Sequence, residues 1–581
     1  MKVILLAMFM AVALGAGAAA AAKQPYQPVG APSDPKVAAH WNRYHDHAEA
    51  TALLKALAEA YPGLAKLESL GQSYGGRGMW VITITNFESG PEAGKGAFWI
   101  DGGIHANEIQ GPEVALYTAW YLLEMYGRSE FITRLLDERV FYILPMLSPD
   151  SRDAHFYEPN SSSSPRSGQR PVDDDRDGLV DEDPPDDLDG DGHITQMRIR
   201  DPNGRYKQHP DYPNVLIRAE QNEPGEYTLL GREGYDNDGD GRINEDGDGY
   251  YDPNRDWGWN WQPRYIQWGA YRYPFSIMEN RMAADFVMAH PNIAGAQSYH
   301  NSGGMFLRGP GDKQDSFERG DVRLFDAIGK QGEEMIPGYD YLVVWKDLYQ
   351  VHGGELDWLY MMNGALTFSN ELFTSYNLFH STRADGWIGS REEQAKFDKY
   401  LLFGEGAVEW KEVEHPQYGT VEVGGRKKTW GRQPPSFMLE EECHRNMAFT
   451  LYHADQMPKV EVQSASAKPL GRGLTEVTAV IANPRMIPTH LEVDLKNKIT
   501  RTDWVIIEGE GIEVVAGYLA DGRFFANAVE QKRNPERMEI PNIDGMGAVY
   551  VRWLVRGGGG DGEMTVTVSS VKGGVHSLVV E

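Results

Sequence analysis

The 581-residue sequence predicts an α/β domain with a mixed, twisted sheet covered by helices on both faces, followed by an all-β sandwich. Several short apolar runs lack the alternation of a half-exposed strand, which is typical of strands buried on both faces. Segments with helical spacing lie between them. Past about Lys459 the sequence changes to short β-prone runs separated by Gly, Pro and Asp.

The elements of the first domain follow in order. Residues 47–61, HAEATALLKALAEAY, have helical spacing and stop at Pro62. A second helix is predicted over 112–126, with Pro near its start and Gly127 just past its end. Buried strands are predicted at 79–85, 97–100, 140–144, 293–299 and 365–368.

The C-terminal region contains the runs LTEVTAVIAN, THLEVDL, AVYVRWLV and EMTVTVSS. Short strands at this spacing, bounded by turn residues, predict a β-sandwich over residues 460–581. The domain boundary is expected near 457–460.

The N-terminus predicts export. Residues 1–22 combine an early Lys2, an apolar run and a small-residue tract, which is typical of a signal peptide, and residues 23–34 form an extended leader. No later stretch approaches the ~20 apolar residues of a membrane helix, so no membrane anchor is expected. The single Cys443 excludes an internal disulfide and favours a bacterial periplasm or the medium over a eukaryotic secretory route.

The net charge of -29 argues against nucleic acid as a partner, because an acidic surface repels a polyanion. The charge is concentrated locally. Residues 173–191 hold eleven acids against one arginine and residues 236–252 hold seven against one, so these stretches supply 16 of the 29 negative charges. Such concentration indicates a site.

A first metal-ligand pattern lies in DGGIHANEIQGPE, directly after an apolar run. His105 and Glu108 can both reach one Zn²⁺, and a catalytic zinc needs one further protein ligand. The spacing alone is weak evidence, because His352 and Glu355 have the same spacing.

Four further segments strengthen this prediction. His300 ends a strand-like run and supplies the third ligand, and Glu371 follows another run, where a carboxylate can serve as a general base. Asn254 and Arg255 in DPNRDW can clamp a substrate carboxylate. Tyr349 precedes a Gly-Gly pair that could let it move.

With these motifs in order, the sequence resembles the carboxypeptidase A-like zinc carboxypeptidases. The likeness runs from LESLGQSYGGRGMWVITITN through HANE, NRDW, SYHNSGG and YQVHGGELDW to TFSNELF. It implies a catalytic domain over residues 35–457, with one acidic insertion at about 158–250. It also implies the roles already given: three zinc ligands, a general base, a carboxylate-binding pair and a mobile tyrosine.

The resemblance implies two further positions. The family uses an arginine to stabilise the oxyanion, and Arg198 in ITQMRIRDP is the candidate, with Arg200 as its rival. Leu356 matches the bottom of the pocket for the terminal side chain, which favours apolar or aromatic terminal residues. Asn107 departs from the arginine that many members carry there.

The insertion carries three repeats of the pattern D-x-D-x-D-G, which is the first half of an EF-hand calcium loop. A glutamate at the twelfth position is missing, and Asp183 or Glu245 could substitute. The alternative is a set of solvated acidic loops. The candidate calcium ligands are Asp173, Asp175, Asp177, Asp187, Asp189, Asp191, Asp236, Asp238 and Asp240.

The sequence therefore predicts an exported zinc metallocarboxypeptidase, periplasmic or extracellular, that acts on peptide or protein C-termini, with structural calcium. One alternative is a related zinc amide hydrolase acting on cell-wall peptides or other carboxylate-bearing conjugates. Another is a non-catalytic calcium-dependent binding protein. No partner for the C-terminal domain is indicated.

Overall fold

The computed structural model describes residues 29–173, 176–246, 249, 251–374, 391–557 and 563–581. The predicted signal peptide and the candidate ligand Asp175 lie outside them. In the described part of the chain, no helix is long and apolar enough to cross a membrane.

The helices are α1 (His47–Ala60), α2 (Gln110–Met125), α3 (Glu130–Glu138), α4 (Pro149–Tyr157), α5 (Met278–Ala289), α6 (Arg319–Met335), α7 (Glu355–Asn363), α8 (Arg391–Leu401), α9 (Ser436–Asp455) and α10 (Glu492–Asn497). Strands of the N-terminal half are β1 (Ala65–Gln72), β2 (Gly78–Ile84), β3 (Gly96–Gly102), β4 (Arg139–Leu144), β5 (Gln196–Arg200), β6 (Tyr206–Gln208), β7 (Leu216–Arg218), β8 (Tyr227–Arg232) and β9 (Ile293–Asn301). The others are β10 (Met305–Arg308), β11 (Asp340–Val343), β12 (Leu366–Leu372), β13 (Ala407–His415), β14 (Gly419–Arg426), β15 (Glu461–Gly471), β16 (Leu474–Asn483), β17 (Asp503–Gly509), β18 (Ile512–Ala520), β19 (Val529–Glu530), β20 (Arg537–Ile540), β21 (Gly547–Gly557), β22 (Met564–Ser570) and β23 (Gly574–Val579).

The main sheet has eight strands in the order β1-β2-β4-β3-β9-β12-β10-β11. Its centre is parallel, because β3 pairs parallel with β4 and β9, and β9 pairs parallel with β12. The edges bring in antiparallel pairs, such as β1 with β2 and β10 with β12. This is the mixed sheet that the sequence predicts.

Both faces of the main sheet are covered. Along β3, Phe98 and Ile100 pack into one core with α1, α2 and α9, whereas Ala97 and Trp99 pack into a second core with α5 and α7. Burial on both faces explains why β3 reads as a continuous apolar run. The predicted fold class is confirmed.

The acidic insertion does not stand apart from the chain that follows it. Its four strands β5 to β8 join β13 and β14 in one antiparallel sheet, ordered β13-β14-β5-β8-β6-β7. The direct link is between β5 and β14, where Arg198 faces Glu422 in the register. Strands β13 and β14, far along the chain, therefore complete the sheet of the insertion.

The C-terminal region forms two antiparallel sheets, ordered β15-β16-β21-β18-β19 and β20-β17-β22-β23. Side chains from both sheets, including Val477, Trp553, Val505 and Val568, share one core. This packing makes the predicted β-sandwich.

One expected strand is wrong. The run THLEVDL contains most of helix α10. The carboxylate of Asp321 caps the start of this helix, because its two oxygens accept hydrogen bonds from Glu492 N at 2.8 Å and from Val493 N at 3.0 Å. A carboxylate at the N-terminus of a helix accepts hydrogen bonds from the first backbone N–H groups, which have no partner within the helix.

Candidate metal centre and substrate pocket

The loop between β3 and α2 carries His105 and Glu108. Gly111, in the first turn of α2, lies so close to β9 that a Cβ atom there would stand 2.7 Å from the Tyr299 carbonyl oxygen. This close approach holds the loop against the end of β9, where His300 lies. Strand and helix ends thus bring the three predicted ligands together.

The three side chains present one atom each to a common point. His300 Nδ1 lies 3.1 Å from His105 Nδ1 and 3.0 Å from Glu108 Oε2, and His105 Nδ1 lies 3.1 Å from the same oxygen. All three residues are buried. Tetrahedral zinc ligands are spaced about 3.3 Å apart, so two imidazoles and a carboxylate in this arrangement fit zinc.

Asp252 contacts the ring nitrogen of His105 that faces away from the other two ligands. Its Oδ1 lies 2.9 Å from His105 Nε2. A carboxylate on the outer ring nitrogen fixes the tautomer and leaves Nδ1 free for a metal. Burial would raise the pKa of Asp252, but Arg255, His105 and Arg166 hold it well below its usual value. The supporting group is therefore a carboxylate.

Glu371 lies on β12 directly beside His300 of β9 in the parallel register. It also lines the small cavity next to the ligands. Burial is the main cause that raises the pKa of Glu371 to about 7, and repulsion by Glu108 adds to it. The positive charge of His300 lowers the pKa but does not outweigh these two effects. A carboxyl group with a pKa near neutral can both accept and return a proton.

The cavity beside the ligands has a volume of about 60 Å³ and contains the predicted substrate-binding residues. Asn254 and Arg255 form part of its wall, and the Arg255 Nη1 donates to the Asn254 carbonyl oxygen at 2.6 Å. Tyr349 stands at the rim with 54% of its surface exposed. Leu356 is buried in the first turn of α7, in an apolar cluster with Leu307 and other side chains.

The zinc carboxypeptidase family model matches residues 50–177, which include the loop that carries His105 and Glu108. This stretch of the chain is therefore similar to zinc carboxypeptidases. Residues 459–581 match a domain of unknown function.

Two curated carboxypeptidases are similar to about a fifth of this chain. Carboxypeptidase M of Mus musculus is 32% identical over 120 residues, covering 21% of this chain and 27% of that protein. Carboxypeptidase B of Astacus astacus is 37% identical over 110 residues, covering 19% of this chain and 34% of that protein. The chain thus spans between a quarter and about a third of the length of these relatives.

Two solved structures are similar over longer stretches. Thrombin-activatable fibrinolysis inhibitor is 16% identical and covers 73% of this chain and 79% of its own, with a TM-score of 0.44. Carboxypeptidase A from Helicoverpa armigera is 18% identical and covers 64% of this chain and 75% of its own, with a TM-score of 0.40.

The structure does not place Arg198 in the cavity beside His105, Glu108 and His300, contrary to the prediction. Its guanidinium is buried against Glu422, with Nε and Nη2 both 2.6 Å from one carboxylate oxygen. The rings of Tyr227 and Trp410 lie 3.8 and 3.9 Å from it. Arg200, its rival, is largely exposed and pairs with the other oxygen of Glu422 at 3.1 Å. Strand pairing directs both arginines away from the zinc ligands.

Arg166, which sequence reasoning missed, occupies the site instead. It lines the cavity, and its Nη1 lies 2.8 Å from Glu108 Oε1 while its Nε lies 3.2 Å from Asp252 Oδ2. The available signal was its place within the segment that matches the family model, in SSSSPRSGQR at the start of the insertion and ahead of the first D-x-D-x-D-G repeat. Its guanidinium places a positive charge in the cavity wall beside His105 and His300.

Arg432 is a second residue near the site that sequence reasoning missed. Its Nη2 lies 3.3 Å from Glu108 Oε1, although 324 residues separate the two in the chain. Asn107, which departs from the family pattern, is fully buried and donates to the Ser162 carbonyl oxygen at 3.3 Å.

The acidic insertion brings many of its predicted ligands together. The second repeat gathers Asp187, Asp189 and Asp191, and the third gathers Asp236, Asp238 and Asp240. Mixed groups combine Asp238 with Asp177 and Glu182, and with Asp183 and Glu245. Among described residues, Asp173 belongs to no such group, and its Oδ1 accepts a hydrogen bond from Arg176 N at 2.6 Å.

Proposed function

We propose that this chain is a zinc-dependent metallocarboxypeptidase that hydrolyses the C-terminal peptide bond of its substrates. One observation carries the proposal: the convergent donors of His105, Glu108 and His300 lie beside Glu371 and open onto a cavity walled by Arg255. A metal centre, a base and a carboxylate receptor in one cavity are what C-terminal cleavage needs.

Zinc held by these three side chains would supply a Lewis acid that polarises the scissile carbonyl and makes water acidic. Arg255 and Asn254 bind the terminal carboxylate and place the bond to be cut over the ligands. Glu371 accepts a proton from the attacking water and returns it to the departing amine. Arg166 donates hydrogen bonds to the oxygen on which negative charge develops.

The wall of the cavity favours an apolar terminal side chain. Besides Leu356, it contains Leu307, Val344, Leu348 and Val351, whereas the one acid close to them in the wall, Asp357, accepts a hydrogen bond from Gly311 N at 2.8 Å. Burying apolar surface of the substrate against these residues is favourable, whereas an unpaired charged side chain would be costly. A substrate ending in an apolar or aromatic residue therefore suits the site best.

A decisive test uses N-blocked dipeptides with varied terminal residues, on wild-type protein, Glu371→Gln and zinc-stripped protein. Loss of the general base should reduce kcat by about 10²- to 10⁴-fold while zinc content, measured by mass spectrometry, stays unchanged. Zinc removal should abolish turnover, and added zinc should restore it. The surface variant Glu513→Gln serves as the matched control.

Full turnover by Glu371→Gln would refute the mechanism. Activity confined to cell-wall peptides or other carboxylate-bearing amides would favour the alternative hydrolase. No turnover, with intact calcium-dependent ligand binding, would favour the non-catalytic alternative.

We propose further that the acidic insertion binds structural Ca²⁺. The grouped carboxylates, with glycines that allow sharp turns at Gly192 and Gly241, support this proposal. Both oxygens of Glu245 are buried without a hydrogen-bond donor among described residues, and a cation would balance such a group.

Export to the periplasm or medium belongs to the same proposal, and it rests on residues 1–22 of the sequence. Cell fractionation of the producing bacterium, with N-terminal sequencing of the mature protein, tests it. A mature chain that begins near Lys23 outside the cytoplasm is the expected result.

A further inference from the structure

Arg432 lies in the segment between β14 and α9, outside the part of the chain that matches the family. The segment is held firmly in place. Arg432 Nε and Nη2 donate to the Asn301 carbonyl oxygen at 3.2 and 2.9 Å, and Asn301 Nδ2 donates back to the Arg432 carbonyl oxygen at 3.4 Å. Pro434, two residues on, accepts a hydrogen bond from Tyr44 Oη at 2.7 Å.

The two arginines of the site share one oxygen of Glu108. Arg166 Nη1 and Arg432 Nη2 lie 2.8 and 3.3 Å from Oε1, whereas Oε2 faces the two histidines. Arg166 also pairs with Asp252 at 3.2 Å, whereas the ion pair of Arg432 with Glu108 is long and uses an oxygen that Arg166 already contacts. The charge of Arg432 is therefore only partly balanced, which favours a ligand atom with a partial or full negative charge.

Part of the Arg432 guanidinium is open. Its side chain is 25% exposed, and among described residues Nη1 makes no hydrogen bond. Arg166 belongs to the wall of the terminal-residue cavity, but Arg432 does not. Arg432 therefore reaches Glu108 from outside that cavity.

Arg432 is half-buried beside Glu108 and lies outside the cavity wall, so a peptide that fills the cavity and continues past Glu108 comes within its reach. Arg432 is also one of the positive charges that act on Glu371, which lines the cavity. Along that path, the peptide offers backbone carbonyl oxygens.

We propose that Arg432 binds the substrate on the amino side of the bond that is cut, through a hydrogen bond from Nη1 to a backbone carbonyl oxygen beyond the scissile one. This inference rests on the proposed carboxypeptidase function and adds a specificity residue to it. It makes the site recognise a peptide chain and not only its terminal residue.

The test compares Arg432→Met with wild type on two substrates. An N-acyl amino acid has the scissile carbonyl and no carbonyl beyond it, whereas an N-acyl tripeptide has further carbonyls. We expect kcat/KM of Arg432→Met to fall by about 10- to 100-fold on the tripeptide, mainly through KM, with little change on the N-acyl amino acid. Arg445→Met, on the exposed face of α9, is the matched control.

An equal loss on both substrates, or a loss of zinc by mass spectrometry, would mean that Arg432 only supports Glu108, and the inference would fail. It would also fail if neither substrate responded.

If wild-type protein cleaved neither substrate, the proposed function would fail separately. The same two compounds would then be titrated calorimetrically into zinc-loaded Glu371→Gln, with and without Arg432→Met. Loss of affinity for the acyl tripeptide alone supports the inference, and equal affinities or no binding of either compound overturn it.

Discussion

At the scale of single residues, Arg166 joins the two carboxylates that organise the site. It contacts Glu108, which faces the metal position, and Asp252, which orients His105. Through these contacts its guanidinium stays fixed beside the cavity without a bound substrate. Preorganised positive charge of this kind stabilises a developing oxyanion without reorganisation during the reaction.

Arg166→Met should therefore lower kcat by about 10²- to 10³-fold, because the transition state loses a fixed hydrogen-bond donor. Arg198→Met should leave kcat near the wild-type value and lower Tm, because it removes the buried partner of Glu422. Steady-state kinetics and thermal unfolding of the two variants measure this difference. The opposite pattern would return the oxyanion role to Arg198.

The grouping of His105, Glu108 and His300 could be predicted because their motifs are local and each follows an apolar run. The arginine could not be assigned this way. Arg198 and Arg166 both lie in polar stretches, and only the pairing of β5 with β14 decides that Arg198 meets Glu422, 224 residues away. The spacing of neighbouring residues in the sequence does not indicate long-range pairs of this kind.

At the scale of elements, the acidic insertion makes ion pairs and strand contacts with later parts of the chain. Its second repeat contacts β13 through an ion pair between Asp189 and Lys411 at 2.9 Å. The first and third repeats come together at Asp238, which belongs to three of the carboxylate groups. The repeats therefore act as one folded unit.

Asp238→Asn should weaken Ca²⁺ binding by about tenfold or more, because calcium affinity rises with the number of charged ligands. Asp173→Asn, at a position outside these groups in the described structure, is the matched control. Calorimetric titration of metal-free protein with Ca²⁺ measures both. Equal affinities in wild type and Asp238→Asn would contradict the shared role of Asp238.

At the scale of the whole molecule, the C-terminal region is tightly joined to the domain that contains the candidate metal centre. Lys572 is buried and donates to the carbonyl oxygens of Asn363 and Gly364, at the end of α7, at 2.8 and 2.6 Å. Arg139 of β4 donates to Met457 and Pro458 carbonyl oxygens at the boundary. The sandwich thus supports the helix that carries Leu356.

A buried charge network beside this junction should make stability depend on pH. His490 lies 3.2 Å from both Asp494 and Asp503, and Lys572 lies 3.6 Å from Asp494. Burial alone would lower the pKa of His490, but hydrogen bonds to the two aspartates outweigh it and raise the pKa to about 9. Asp321, near Lys572, adds negative charge.

Because the folded pKa of His490 exceeds its unfolded value of 6.5, its contribution to stability is complete below that pH and disappears as pH rises through about 9. The difference is about 3 kcal/mol at most. Urea unfolding at pH 6.5 and pH 9, followed by tryptophan fluorescence, should show this loss in wild type and a smaller one in His490→Gln. Identical pH dependence in the two proteins would exclude His490 as the cause.

The sequence by itself determined the α/β class, the sandwich and the grouping of His105, Glu108 and His300 beside Glu371, because buried strands and the motifs at their ends consist of consecutive residues. Tertiary structure alone decided the rest. It made THLEVDL a helix through Asp321, drew Arg198 to Glu422, and brought Arg166 and Arg432 to the same oxygen of Glu108. The physical reason is that burial periodicity is a local property, whereas the partner of a charge is set by which distant segments pack together.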